Sequence, residues 1–210
     1  AIGSKGYIGT GYGGGFLYDF YEYNPSLDQW TKKADYPGPG RMMASAFAAG
    51  GKGYLGLGSN GVSMSDMYEY EPVGDTWTAK ADIPQAVYFA ASFVIGPRGY
   101  ICTGGTTNSS YTNALWAFDP GMNQWIQKAN FPGAARYGAV GFGIGTKGYV
   151  GTGYDASLKT DFYEYNPLPA NLWTKRADVA GGTGHRYRAA GFAIGSKGYI
   201  GTGYGGGFLY

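Results

Sequence analysis

The chain has one cysteine and one histidine in 210 residues. Cys102 alone cannot close an intrachain disulfide or build a thiolate metal cluster. His185 alone cannot supply a multi-histidine metal site, and a Ser-His-Asp triad would depend on it as the base. We therefore predict no metal, no cofactor and no catalytic residues. Cys102 replaces a glycine that other copies of a repeated phrase carry, which indicates a small buried side chain.

Long apolar runs and an excess of charge are also missing. No run approaches the roughly 20 residues that a membrane-spanning helix requires. The chain carries 16 basic and 14 acidic residues, a net charge of +2, without a basic stripe. We therefore expect no membrane span and no nucleic-acid partner. Because the chain does not begin with methionine, we interpret it as a piece of a longer protein.

Glycine, by contrast, is abundant, with 40 residues, and much of it lies in one recurring phrase. The first copy reads Lys5-Gly-Tyr-Ile-Gly-Thr-Gly-Tyr12. Successive copies are 46 to 50 residues apart, measured between their central tyrosines: Tyr7, Tyr54, Tyr100, Tyr149 and Tyr199. A period in this range is typical of propellers and solenoid arrays.

Each repeat divides into four short segments with turn residues between them. In the second repeat these segments are residues 43–49, 54–58, 66–70 and 76–80. Glycines at alternate positions of the second segment lie on one face, where a neighbouring sheet can approach closely. A glutamate recurs in the third segment and a tryptophan in the fourth, and we interpret both as structural. Four strands in about 48 residues predict one propeller blade.

This order of segments resembles the Kelch family of β-propellers. The phrases that carry the resemblance are the Lys-Gly-Tyr strand, Asp66-Met-Tyr-Glu-Tyr70 and the Trp that follows it, although the family's diglycine survives only at Gly104-Gly105. The resemblance implies an all-β fold of four-stranded antiparallel blades, with about four full repeats. It also implies one propeller region over residues 1–210, with units at 1–35 (partial), 36–82, 83–130, 131–178 and 179–210 (partial). Similar divergent repeats are common in bacterial secreted and cell-surface proteins, which implies an extracellular or cell-surface location.

The two ends of the chain are identical, since residues 1–18 recur as residues 193–210. Strand two of a blade is therefore present in duplicate. Three interpretations remain open: a window on a longer tandem array, an engineered or permuted chain, or an edge duplicated to pair with another molecule. The last predicts self-association through residues 1–18 and 193–210.

The loops after strands two and four vary between repeats, whereas those after strands one and three hardly change. Because recognition is usually built on loops of a rigid scaffold, we predict a non-catalytic scaffold that binds a protein or glycan through the variable face. Arginine and tyrosine together suit stacking on sugars and capture of carboxylates. The candidate ligand-binding residues are Arg41, Tyr88, Tyr111, Arg136, Tyr137, Asp155, His185, Arg186, Tyr187 and Arg188.

Two other functions remain open at this point. The duplicated strands favour a structural subunit of a fibre or tandem surface array. Paired carboxylates would instead serve a carbohydrate-active enzyme. The roles of Arg41, Arg136 and Arg186 are also open: these residues share one slot with Val87, and they either cap loop carbonyls or line the mouth of the channel.

Overall fold

The computed structural model describes residues 1–179 and 185–206. Nearly all of its regular structure is antiparallel β-sheet, and helical geometry in these two ranges is limited to a 3-10 turn at Thr107–Ser109. No helix in this part of the chain has the length and apolarity to cross a membrane. The all-β fold class predicted from the sequence is confirmed.

In the described ranges, five sheets follow one another along the chain. The first sheet has three strands: β1 (Gly6–Tyr12), β2 (Phe16–Asn24) and β3 (Gln29–Lys32). The second has four: β4 (Ser45–Ala49), β5 (Lys52–Gly56), β6 (Met67–Glu71) and β7 (Thr76–Lys80). The third also has four: β8 (Ala91–Ile95), β9 (Arg98–Cys102), β10 (Leu115–Asp119) and β11 (Gln124–Lys128).

The fourth sheet repeats this pattern with β12 (Val140–Ile144), β13 (Lys147–Gly151), β14 (Phe162–Asn166) and β15 (Leu172–Arg176). The fifth contains β16 (Ala190–Ile194) and β17 (Lys197–Gly201). Strands β4, β8, β12 and β16 pack against one another in succession, so the first strand of each of these four sheets lies innermost. The described chain therefore forms three complete propeller blades with an incomplete blade at each end.

Blade packing explains the glycine that precedes the tyrosine in strand two. Phe47, Phe93 and Phe142 of strand one each lie over the corresponding glycine of the next blade. A Cβ atom on Gly99, Gly148 or Gly198 would come within 2.1–2.2 Å of the phenylalanine ring. The sequence predicts a neighbouring sheet at other glycines of the strand, Gly56 and Gly58 in the second blade. A Cβ atom on either would instead meet the backbone of the same blade, at Asp66 or Met42, so that prediction was wrong.

The recurrent tryptophan joins neighbouring blades at their outer edges. The indole Nε1–H of Trp77 donates to the carbonyl of Ala34 at 2.9 Å, and Trp125 donates to Ala81 at 2.8 Å. Trp173 repeats the bond to the carbonyl of Ala129 at 2.8 Å. The predicted structural role of this tryptophan is confirmed. The prediction for Cys102 is confirmed too, because its side chain is fully buried in the core and burial raises the pKa of its thiol.

The recurrent glutamate of strand three accepts hydrogen bonds from two residues of strand two. Glu69 accepts from the Tyr54 hydroxyl at 2.7 Å and from Lys52 Nζ at 2.8 Å. Glu22 and Glu164 repeat the arrangement with the tyrosine and lysine of their own blades. Burial alone would raise the pKa of each carboxyl, but the bonds from lysine and tyrosine, with one from Arg176 at Glu164, outweigh it and hold the pKa below the ordinary 4.5. The glutamates are therefore structural, as predicted.

This network predicts a specific loss of stability in acid. The folded-state pKa of Glu69 is depressed, so its contribution is complete above the unfolded value and is lost as pH falls through the folded value. We expect Glu69→Gln to lower the free energy of unfolding by about 1.5–3 kcal/mol at neutral pH, and by less at about pH 3. Urea titrations at both pH values measure this. The half-exposed Glu71 serves as the control, and an equal loss in Glu71→Gln would contradict the prediction.

Candidate functional site

A cavity of about 380 Å³ lies on the face formed by the loops after strands two and four. This is the face whose loops vary between repeats. Ligand pockets in proteins usually have volumes of about 300–1,000 Å³. The lining residues come from four successive blades: Met42, Met43, Ser59, Gly61, Val62, Ser63, Tyr88, Thr106, Thr107, Ser109, Tyr137 and Arg188.

A chain of backbone hydrogen bonds fixes the loops that enter this face from strand four. The amide of Phe89 donates to the carbonyl of Met43 at 3.1 Å, Gly138 donates to Phe89 at 2.9 Å, and Arg188 donates to Gly138 at 3.0 Å. All four residues have positive φ, between 49° and 65°. Since only one of them is glycine, the packing of neighbouring blades holds three side-chain-bearing residues in a disfavoured conformation. The cavity wall is therefore built on a rigid backbone.

Tyr137 is the centre of an aromatic cluster beside the cavity. Its ring centroid lies 6.2 Å from that of Tyr88, 5.2 Å from Tyr111, 5.7 Å from Tyr154 and 5.6 Å from Tyr187. Three successive blades supply these rings, so only the folded arrangement brings them together. Burial raises the pKa of Tyr137 and of Tyr111, which keeps both hydroxyls protonated at neutral pH. The cluster offers flat apolar faces together with hydrogen-bond donors.

Arg188 places a positive charge at the cavity. Its guanidinium carbon lies 4.8 Å from the ring centroid of Phe89 and 4.9 Å from that of Tyr187. The side chain is exposed and lines the cavity with Tyr88 and Tyr137. Stacking on two rings orients the guanidinium group while leaving it accessible, which suits capture of a carboxylate.

The structure places Arg41 and Arg136 in the interior, outside the lining of the cavity. They are 0% and 1% exposed, and each forms a bidentate pair with an aspartate, Asp66 or Asp161. Each also donates to a carbonyl at 2.9 Å, that of Leu57 or Thr152. Their proposed role in ligand binding is therefore corrected to that of loop clamps, because every donor is directed into the protein.

In the third blade, both the arginine and the aspartate of this ion pair are replaced. Val87 occupies the arginine slot and Ala114 the aspartate slot, and both side chains are buried. The correspondence is set by the backbone, since Thr103 donates to the carbonyl of Ala114 as Thr152 donates to that of Asp161. The second and fourth blades therefore fill these two positions with a buried ion pair, whereas the third blade fills them with two apolar side chains.

The other candidates divide between the cavity and its surroundings. Tyr88, Tyr137 and Arg188 line it, and Tyr111 and Tyr187 contact Tyr137. Arg186 donates to the carbonyl of Thr202 at 3.1 Å, as Arg41 does to Leu57. His185 is half-buried and is not part of the lining.

Asp155 lies on the same face but outside the lining. Its carboxylate pairs with Lys159 at 2.8 Å and accepts from Ser157 at 3.1 Å. Burial favours the neutral acid, but these contacts outweigh it and keep the pKa of Asp155 below its usual range. Asp155 is therefore an ionised, paired carboxylate.

Sequence reasoning missed the hydroxyl-bearing part of the wall, formed by Ser59, Ser63, Thr106, Thr107 and Ser109. These residues lie in the loops after strand two that the repeat comparison marks as variable, but no periodicity distinguishes them. Tyr154 was also missed. Within the described ranges, the Ser63 hydroxyl is buried without a hydrogen-bond partner.

Comparison with known proteins begins from the fold. No family model matches the chain. The chain superposes along 100% of its length on the solved structure of YjhT, covering 78% of that chain, with a TM-score of 0.82 and 15% sequence identity. The chain folds as a Kelch-type β-propeller. The resemblance read from its repeats is confirmed at the level of the fold.

A stretch of the propeller also matches a named protein in sequence. It is 34% identical over 97 residues to N-acetylneuraminate epimerase of Pasteurella multocida (strain Pm70). The match includes 43% of this chain but only 24% of that relative, so the propeller chain spans about a quarter of the relative's length. Because the relative is named as an enzyme, this similarity contradicts the prediction of a non-catalytic scaffold and the alternative of a fibre subunit. Both predictions were wrong: the scaffold followed from the lack of a recognisable catalytic pattern and the fibre from the duplicated ends, and neither observation excludes an enzyme.

Proposed function

We propose that this chain is part of a carbohydrate-active propeller enzyme that acts on N-acetylneuraminate or a closely related acidic sugar. The sequence match to N-acetylneuraminate epimerase carries the proposal. The cavity on the variable loop face, with Arg188 in its wall, is the place we assign to the sugar.

The chemistry of the cavity fits an acidic sugar. N-acetylneuraminate carries a carboxylate, several hydroxyl groups and an N-acetyl group. Arg188 provides an oriented guanidinium for the carboxylate, and such charge-assisted pairs are about twice as strong as neutral hydrogen bonds. Ser59 and Thr106 supply hydroxyls for the polar edge of the ring. Tyr88 and Tyr137 supply aromatic faces for its apolar side.

Epimerisation inverts one carbon centre without changing the composition of the sugar, so it requires a proton donor and a proton acceptor. Burial raises the pKa of Tyr137, so its hydroxyl would act as a hydrogen-bond donor to a sugar oxygen rather than as the acid that transfers a proton. Asp155 remains ionised on the same face. Its ion pair with Lys159 assigns it an electrostatic role rather than that of a protonated acid.

The decisive test is binding and turnover of N-acetylneuraminate by the Arg188→Gln variant. We expect the substitution to weaken binding about tenfold or more, because it removes a charge-assisted pair worth about 1.5–3 kcal/mol. Calorimetry measures the affinity, and proton NMR of the sugar measures interconversion of its stereoisomers.

Arg98 provides the matched control. It begins strand β9 after a loop of the opposite face, where it pairs with Asp119 at 2.7 Å. Arg98→Gln should bind the sugar like the parent protein. Unchanged binding by Arg188→Gln, or equally tight binding of the neutral sugar N-acetylglucosamine, would contradict the proposal.

A further inference from the structure

One position in the loops after strand four is occupied in successive blades by Met43, Phe89, Gly138 and Arg188. The backbone defines this correspondence, because the amide of each later member donates to the carbonyl of the member before it at 2.9–3.1 Å. Met43, Phe89 and Arg188 carry their side chains at φ between 49° and 59°, so the backbone conformation does not by itself require glycine. The glycine at position 138, with φ of 65°, therefore has a different physical reason.

The third blade shows where a side chain at position 138 would lie. Phe89 packs beside Tyr137, the tyrosine that enters from the next blade, with ring centroids 6.2 Å apart. By the same repeat, a side chain at position 138 would pack beside Tyr187. A Cβ atom added to Gly138 would already lie 3.2 Å from Cδ2 and 3.3 Å from Cβ of Tyr187, which is tighter than ordinary van der Waals contact.

The guanidinium group of Arg188 takes the place beside Tyr187 instead. Its central carbon lies 4.9 Å from the ring centroid of Tyr187 and 4.8 Å from that of Phe89. Phe89 and Arg188 belong to blades that are not adjacent, and the blade that contains Gly138 lies between them in the chain. Arg188 therefore reaches Phe89 across the one blade that has no side chain at this position.

We propose that Gly138 is a positioning residue for the sugar site, because its lack of a side chain leaves the space in which Arg188 stacks on Phe89 and Tyr187. This inference rests on the proposed function, which assigns Arg188 to the carboxylate of the sugar. Gly138 is buried and is not part of the cavity lining. It therefore acts on the sugar through the orientation of Arg188.

The second blade supplies the substitution that tests this role. Gly138→Met introduces the side chain that Met43 carries at the same position and at a similar φ. The new side chain would compete with the guanidinium group for the ring of Tyr187. We expect Gly138→Met to weaken binding of N-acetylneuraminate about tenfold, and to change it less than about twofold when Arg188→Gln is already present. A purely structural role would instead make the two effects add.

Gly145→Met is the matched control. Gly145 has φ of 58° in a turn on the opposite face, and a Cβ atom there would meet nothing within 4 Å. The control introduces the same side chain at a similar backbone conformation without contact to Arg188. Gly145→Met should therefore bind N-acetylneuraminate like the parent protein.

Calorimetry measures the affinities, and crystal structures of the parent protein and of Gly138→Met locate the guanidinium group. Displacement of this group from Phe89 and Tyr187, together with non-additive losses of affinity, supports the proposal. An unmoved guanidinium group, or losses that add, overturns it.

Two further outcomes are separated by the same experiment. If the parent protein does not bind N-acetylneuraminate, the proposed function fails, and the two crystal structures still decide whether Gly138 positions Arg188. If circular dichroism shows that Gly138→Met does not fold, Gly138→Ala takes its place under the same criteria. Its methyl group alone would lie 3.2 Å from both the backbone nitrogen of Arg188 and the ring of Tyr187.

Discussion

Arg136→Val should destabilise the protein by about 3–5 kcal/mol, because it leaves the carboxylate of Asp161 largely buried without its partner. Arg136 is 1% exposed, and its guanidinium lies 4.9 Å from the ring centroid of Phe131. The substitution therefore removes a bidentate ion pair, a hydrogen bond to the carbonyl of Thr152 and a stacked contact together. Urea or thermal unfolding followed by circular dichroism measures the loss.

The matched control is the double variant Arg136→Val/Asp161→Ala. It reproduces the apolar pair that the third blade already carries as Val87 and Ala114. Replacing both members of a buried ion pair by apolar groups is often close to neutral, whereas removing one is costly. We therefore expect the double variant to be more stable than Arg136→Val alone. A double variant as unstable as the single one would show that the pair itself is not the source of the loss.

Phe131→Ala should cost about 3–5 kcal/mol, the usual range for removing a fully buried phenylalanine. Phe131 is fully buried, and its ring packs edge-on against Trp173 and Tyr163, with centroids 5.3 and 5.1 Å away. The cavity left behind would also remove the surface on which Arg136 stacks. Chemical denaturation measures the change in the free energy of unfolding.

Phe16→Ala is the control for this substitution. Phe16 is 36% exposed and contacts Tyr12 at the edge of the first blade. Its removal should cost about 1 kcal/mol or less, since less apolar surface is lost from the interior. Equal losses in the two variants would mean that burial does not set the cost, contrary to the expectation.

The fold was predictable because the same pattern of strands and turns occurs in every repeat. One ambiguous apolar segment says little, but the same four segments at a period of 46 to 50 residues define a blade. The strands of the second blade lie within two residues of their predicted positions. In the residues that the structure describes, four periods of sequence give three complete blades, because the first and last units are partial.

The candidate site was predictable only in part. Comparison of loops identified the face on which the cavity lies, and Tyr88, Tyr137 and Arg188 were named from the sequence. Arg41 and Arg136 were named on the same grounds, yet both turn inward to an aspartate 25 residues away. The enzyme class came from similarity to a known protein, since no residue pattern in the chain specifies it. Localisation and a glycan or protein partner remain predictions from the sequence.

The sequence alone determined the β-blade unit and the face where the loops vary. These features depend on local spacing of residues, and the repeats make that spacing recognisable in the sequence. The tertiary structure alone decided which arginines are buried and which single arginine stands at the cavity. Arg186 and Arg188 are two residues apart, but the positive φ of Arg188, held by the bond to Gly138, directs its side chain to a different environment. Which arginine is buried depends on contacts between blades, and these contacts cannot be predicted from the neighbouring residues in the sequence.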